Sequence, residues 1–126
     1  MAEPIGEFHM KNTGMSFDLL PDDRIQQTAD FEGTATGFGA VFGTLIFRQD
    51  LNQASDTSGP LSFVGKALLD NNSLAGGIGH GTWEQIGQEA RFTIVMTVKV
   101  SDGTQHRSEG IVDHPARTFD GKMYEV

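Results

Sequence analysis

The chain has 126 residues, a formal charge of −8, sixteen glycines and no cysteine. That length suffices for one domain with a true core, while the lack of cysteine removes disulfide frameworks, thiolate metal sites and cysteine nucleophiles. The negative charge and the nine scattered Lys and Arg residues disfavour nucleic acid and anionic lipid as partners.

The most apolar stretch, Phe92–Val100, is broken by Thr93, Thr97 and Lys99, well short of the ~20 apolar residues a spanning helix needs, so no membrane insertion is expected. The N-terminus shows no basic, apolar leader, which points to the cytoplasm. Residues 1–9 end in Glu7-Phe8-His9 before Met10, and Glu-Phe and His-Met are dipeptides encoded in frame by common cloning sites. They read as an expression scar, with a single domain over 10–126 and no function for His9.

Period-two alternation recurs after Asp23, whereas no window keeps a helical i, i+3, i+4, i+7 apolar pattern. The predicted strands in chain order are Ser16–Leu20, Ile25–Thr36, Ala40–Gln49, Leu61–Leu69, Leu74–Ile86, Ala90–Val100, Gln105–Val112 and Phe119–Glu125. On the second, Ile25, Ala29, Phe31, Gly33 and Ala35 share one face, and the opposite face, from Arg24 to Thr36, is wholly polar. Between the third and fourth lies Asp50–Pro60, the only long loop and a candidate lid. The fold class is therefore all-β, an antiparallel up-and-down meander of about eight strands closing into a small calycin-like barrel, with a two-sheet sandwich as the alternative.

Turn lengths fix which side chains share a face. A three-residue loop through Asp70, Asn71 and Asn72, with an Asn in the left-handed region, turns Leu61, Phe63, Gly65, Ala67 and Leu69 inward. Gly87-Gln88 as a two-residue turn sets Trp83 opposite Phe92 and Glu84 opposite Arg91, with Gly77, Gly79, Gly81 and Met96 on the interior face. These inward glycines remove side-chain volume and suggest a cavity; the alternative is that Trp83, Phe63, Phe92 and Phe31 fill it. The Asp102-Gly103 hairpin admits two parities. A two-residue turn sends Arg107 and Glu109 inward, and a three-residue turn with Gly103 in a bulge sends His106, Ser108, Gly110 and Val112 inward.

The candidate ligand walls are thus Trp83, Phe92, Phe63 and Met96, with Arg107 and Glu109 as polar anchors. Glu109 and His106 are the candidate catalytic residues, because an ionisable group enclosed by aromatic walls shifts its pKa toward acid–base work. His80 is expected on the outer surface and His114 in the turn before the last strand. His80, His106, His114, Asp113 and Glu109 occur at no recognised ligand spacing, so no metal is expected. The glycine-rich Gly37-Phe38-Gly39 and Gly76–Gly81 precede no helix, so no nucleotide cofactor is expected either. Ser108, His106 and Asp113 form a triad only on paper, as nothing like a nucleophile elbow surrounds Ser108.

The architecture is similar to the calycin-like barrels, lipocalins among them, and to the barrels of allene oxide cyclases and dirigent proteins. Lipocalins carry Gly-x-Trp on the first strand; here Gly81-Thr82-Trp83 falls on the fifth, so the likeness is one of fold and assigns no catalytic residue. The leading functional expectation is a barrel holding an apolar small molecule. A cofactor-free cyclase or isomerase working through Glu109 or His106 is the second. The third is a homodimeric interaction protein joined through the outward Phe42, Val64, Leu74 and Ile78.

Overall fold

Apolar and polar residues that alternate along β-branched and aromatic segments form strands with one buried face, and the glycine, Asp and Asn turns fold each strand back on the last. The computed structural model describes residues 3–69 and 71–126. Its strands are β1 (Gly6–Leu20), β2 (Arg24–Ala35), β3 (Phe38–Asp50), β4 (Ser58–Leu68), β5 (Leu74–Gln85), β6 (Arg91–Val100), β7 (Gln105–Asp113) and β8 (Thr118–Glu125). Each pairs antiparallel with its neighbour in chain order, and β1 pairs with β8, so the meander closes into a barrel rather than a sandwich. The only helix among the described residues is the single 3-10 turn Leu51–Gln53, and none is long and apolar enough to cross a membrane.

The first strand departs most from expectation. It begins at Gly6, not Ser16, and its lower half, Gly6–Lys11, supplies the pairing to β8 that closes the sheet. Phe8 and Met10 are each 5% exposed, and the Phe8 ring sits 4.8 Å from that of Phe119 in an edge-on contact. Residues 6–9, set outside the domain by the dipeptide argument, are therefore part of the barrel wall. The alternation of outward Glu7 and His9 with inward Phe8 and Met10 is the signal that argument passed over.

The turns decide the facings. Leu69 N–H donates to Ser73 O at 2.8 Å and Asn72 has φ 65°, as expected of the turn between β4 and β5, of which Asp70 lies outside the described residues. Between β5 and β6 the expected two-residue turn is replaced by a four-residue one, closed by Ile86 N–H donating to Arg91 O at 2.9 Å. The register slides by two, so Trp83 lies opposite Ile94, Gln85 opposite Phe92 and Glu84 opposite Thr93. An even shift leaves every side chain on its predicted face. Arg91 consequently pairs with Glu89 at 3.1 Å and Asp113 at 3.4 Å rather than with Glu84.

The β6–β7 turn takes the three-residue form. Val100 N–H donates to Thr104 O at 2.9 Å and Gly103 has φ +94°, a conformation glycine adopts without steric penalty. His106, Ser108, Gly110 and Val112 accordingly lie opposite the inward Val98, Met96, Ile94 and Phe92.

Inside, Leu45, Ile94 and Phe119 are fully buried and form a packed waist, with the Phe31 ring tilted against that of Phe119 at 5.4 Å. This waist divides the interior into an upper cup, under the β1–β2, β3–β4, β5–β6 and β7–β8 connections, and a lower cup at the opposite mouth. The inward glycines have two different effects. A methyl group at Gly81 would collide with the Val95 carbonyl and the Met96 backbone, so this glycine admits a neighbouring strand and leaves no empty space. At Gly77 the nearest atom would be 3.5 Å away, and this glycine does line the lower cup.

Candidate functional site

The upper cup encloses about 220 Å³. Its walls are aromatic. Trp83 stands edge-on to Phe92 at 5.7 Å and to Phe47 at 6.3 Å, and Phe92 in turn meets the His114 ring at 5.2 Å. The Trp83 indole lies over Gly59, where an added methyl would approach Nε1 to 3.0 Å, so the start of β4 is shaped to receive it.

Above these rings stand polar groups at the inward positions of the strand ends. Gln27, Gln49 and Gln85 are half-buried members of the lining, joined by His114 and by Ser55 and Asp56 of the β3–β4 loop. The Gln27 amide donates to Met15 Sδ at 3.3 Å and the Gln85 amide to Glu89 O at 2.8 Å, which fixes the two side chains while leaving their carbonyl oxygens as acceptors. No Lys or Arg lines this cup. The loop predicted as a lid does border the mouth, held at its base by Gln85 N–H donating to Thr57 O at 2.7 Å.

One side of the upper cup is a raised flap. Beyond a bulge at Asn12/Gly14 the upper half of β1 pairs with β2 alone, and Met15, Phe17 and Leu19 share the cup-facing side with Ala29, Gln27 and Ile25. Phe17 is 64% and Leu19 86% exposed, so this apolar surface stands open beside the mouth.

The lower cup is smaller, about 80 Å³, and nearly all its walls are apolar, including Phe63, Met96, Val98 and Met123. Its polar side chains are Ser108, buried deep, half-buried His106, and Lys66 at the rim. Burial pushes the His106 pKa below its ordinary value of 6.5, which favours the neutral imidazole at pH 7.

The four aromatic and methionine walls predicted for one site are thus divided between two. Trp83 and Phe92 line the upper cup, Phe63 and Met96 the lower. Arg107 and Glu109 reach neither, because the turn parity places both on the outer face. There Arg107 Nε donates to Glu109 Oε2 at 2.9 Å, the guanidinium stacks 5.1 Å from the Tyr124 ring, and Lys122 lies opposite Glu109. Their expected roles as interior anchors, and that of Glu109 as an enclosed acid or base, are corrected accordingly.

His80 is on the outer surface as expected, 3.3 Å from Ser62 Oγ, and His114 is in the β7–β8 turn, where it also enters the upper cup. No group of three or more His, Asp or Glu side chains among the described residues is arranged to hold a metal ion. Gln27 and Gln49 were legible in the alternation, at the positions next to Ile25 and Phe47 on the inner face, but amides on an apolar face carry no motif to draw attention to them.

Comparison with known protein families, curated proteins and solved structures gives no match to this chain.

Proposed function

We propose that the protein binds a small, flat, uncharged organic molecule in the upper cup. The observation that carries this reading is the combination, within about 220 Å³, of aromatic walls formed by Trp83, Phe92 and Phe47 with the amides of Gln27, Gln49 and Gln85 at the rim. Rings favour a planar apolar body through stacked and edge-on contacts, and amides offer both donors and acceptors to the polar edge of such a body. Apolar walls with a few convergent polar groups are the usual composition of a small-molecule site. Asp56 in the lining, without any Lys or Arg, disfavours an anion.

Trp83 is the sole tryptophan and lines the upper cup but not the lower. Titration with adenine, quinoline and N-phenyl-1-naphthylamine should quench or shift its emission saturably with at least one of the three, and Phe92→Ala should weaken that response. A Trp83 signal indifferent to all three, together with native mass spectra free of any co-purified ligand, would overturn the proposal.

A second reading, self-association, rests on the outer face of β3–β5, where Phe42, Val64, Leu74 and Ile78 are 51%, 44%, 65% and 53% exposed on adjoining strands. Exposed apolar clusters of this kind mark contact surfaces. Light scattering across a concentration series should then show a dimer that Ile78→Lys abolishes; a monomer throughout would remove the reading.

A further inference from the structure

We infer that the lower cup is a second, separate ligand site, which takes an uncharged molecule of one ring or a short chain whose single hydroxyl or carbonyl group meets Ser108. Ser108 is the one buried polar side chain among the described residues, only 4% exposed, between Met96 on β6 and Met123 on β8. Its side chain lines the cavity. A polar group at that depth is costly unless it is satisfied, and the cavity is the direction from which a partner can come. The neighbouring His106 lines the same space and supplies a second donor or acceptor without a formal charge. Glu125, across from His106 on β8, is exposed at the rim, as is Lys66, so the depth of the cup holds no fixed charge to bind an ion.

The size of the ligand follows from the walls. About 80 Å³ is smaller than a ring needs in a rigid cavity, but Met10, Met96 and Met123 all border it, and unbranched thioether side chains shift readily to admit a guest. The waist of Leu45, Ile94 and Phe119 blocks passage from the upper cup, so this site is loaded from the opposite mouth and is independent of the upper-cup proposal.

The probes are phenol and toluene, which share a shape and differ by a hydroxyl in place of a methyl. With methyl-labelled methionine, the resonances of Met10, Met96 and Met123 should shift with both probes, whereas those of Met15 and the emission of Trp83 should stay unchanged. Phenol should bind about tenfold more tightly than toluene, the difference expected for one buried hydrogen bond. Ser108→Ala should erase that preference and leave toluene binding intact, and Ser108→Cys, which keeps a side chain of similar size with a poor donor, should do the same if the alanine variant folds badly. Silence of the three methionines with both probes, or a phenol preference that survives both substitutions, would overturn the inference. A response of Trp83 and Met15 in place of the three methionines would assign the probes to the upper cup and overturn it as well.

Discussion

The two ends of this barrel are built from the same eight strands and the same alternation, yet they differ in chemistry. At the upper end the strands run past the waist into a flap and a seven-residue connection, residues 51–57, so inward positions near the mouth are wet and carry amides, a carboxylate and an imidazole. At the lower end short turns cap the strands, and the inward positions stay apolar except for Ser108 and His106. In a small barrel, strand overhang more than strand identity sets the polarity of a cavity, because it sets how far each inward residue lies from water.

The waist that separates the ends is the most sensitive point of the barrel. Phe119→Ala should lower the unfolding free energy by about 3–5 kcal/mol in urea melts, since it empties a fully buried aromatic position. A loss below about 1 kcal/mol would mean that the two cups are already one space.

Next come the interior glycines, which test whether space or strand contact is at stake. Gly81→Ala, with its methyl driven into the Val95 carbonyl, should cost about 1–3 kcal/mol. Gly77→Ala, with its nearest neighbour 3.5 Å away, should lie within about 0.5 kcal/mol of the parent. Equal costs at the two positions would contradict the difference drawn between them.

Two histidines respond to pH in opposite senses. Burial lowers the His106 pKa below 6.5 in the folded state, so below pH 6.5 the unfolded chain binds the extra proton more readily. Its contribution is therefore fully present above pH 6.5 and declines as pH falls through the folded pKa. His9, on the outer face, is bonded to Asp120 at 3.1 Å, lies 3.5 Å from Glu7, and has its pKa raised by them. It acts in the opposite sense: its small contribution is present below pH 6.5 and is lost as pH rises through the folded value. Urea midpoints from pH 5 to 8 for His106→Asn and His9→Asn should diverge from the parent in opposite directions, and parallel curves would refute this assignment.

The smallest effect belongs to the outer pair. Arg107→Ala should change stability by no more than about 1 kcal/mol, as its ion pair with Glu109 is exposed on both sides. Ligand binding in either cup should be unaffected; a large loss of binding would place these side chains nearer the interior than their facing allows.

Much of the fold was legible from residue order. Strands β2 to β8 begin and end within three residues of where the alternation puts them, because period-two burial is a local property of each segment. Asn72 likewise marked its turn, since few residues tolerate a positive φ. The candidate site was read less well. Trp83 and Phe92 were rightly matched on one face, but Phe63 and Met96 sit beyond a waist that no single strand encodes. The facing of Arg107 and Glu109 depended on which of two turn lengths Asp102-Gly103 takes, and the tendency of charged side chains to stay outside favoured the one observed.

What the amino-acid order determined by itself was the set of strands, the inner and outer faces of most of them, and the turns where glycine or asparagine is sterically required. Tertiary structure alone decided the parity of β7, the recruitment of Phe8 and Met10 into the closing seam, and the division of the interior into two cups. The reason is physical. Alternation ranks neighbours along one strand, whereas closure, parity and cavity shape depend on which side chains from distant strands arrive at the same height in the barrel.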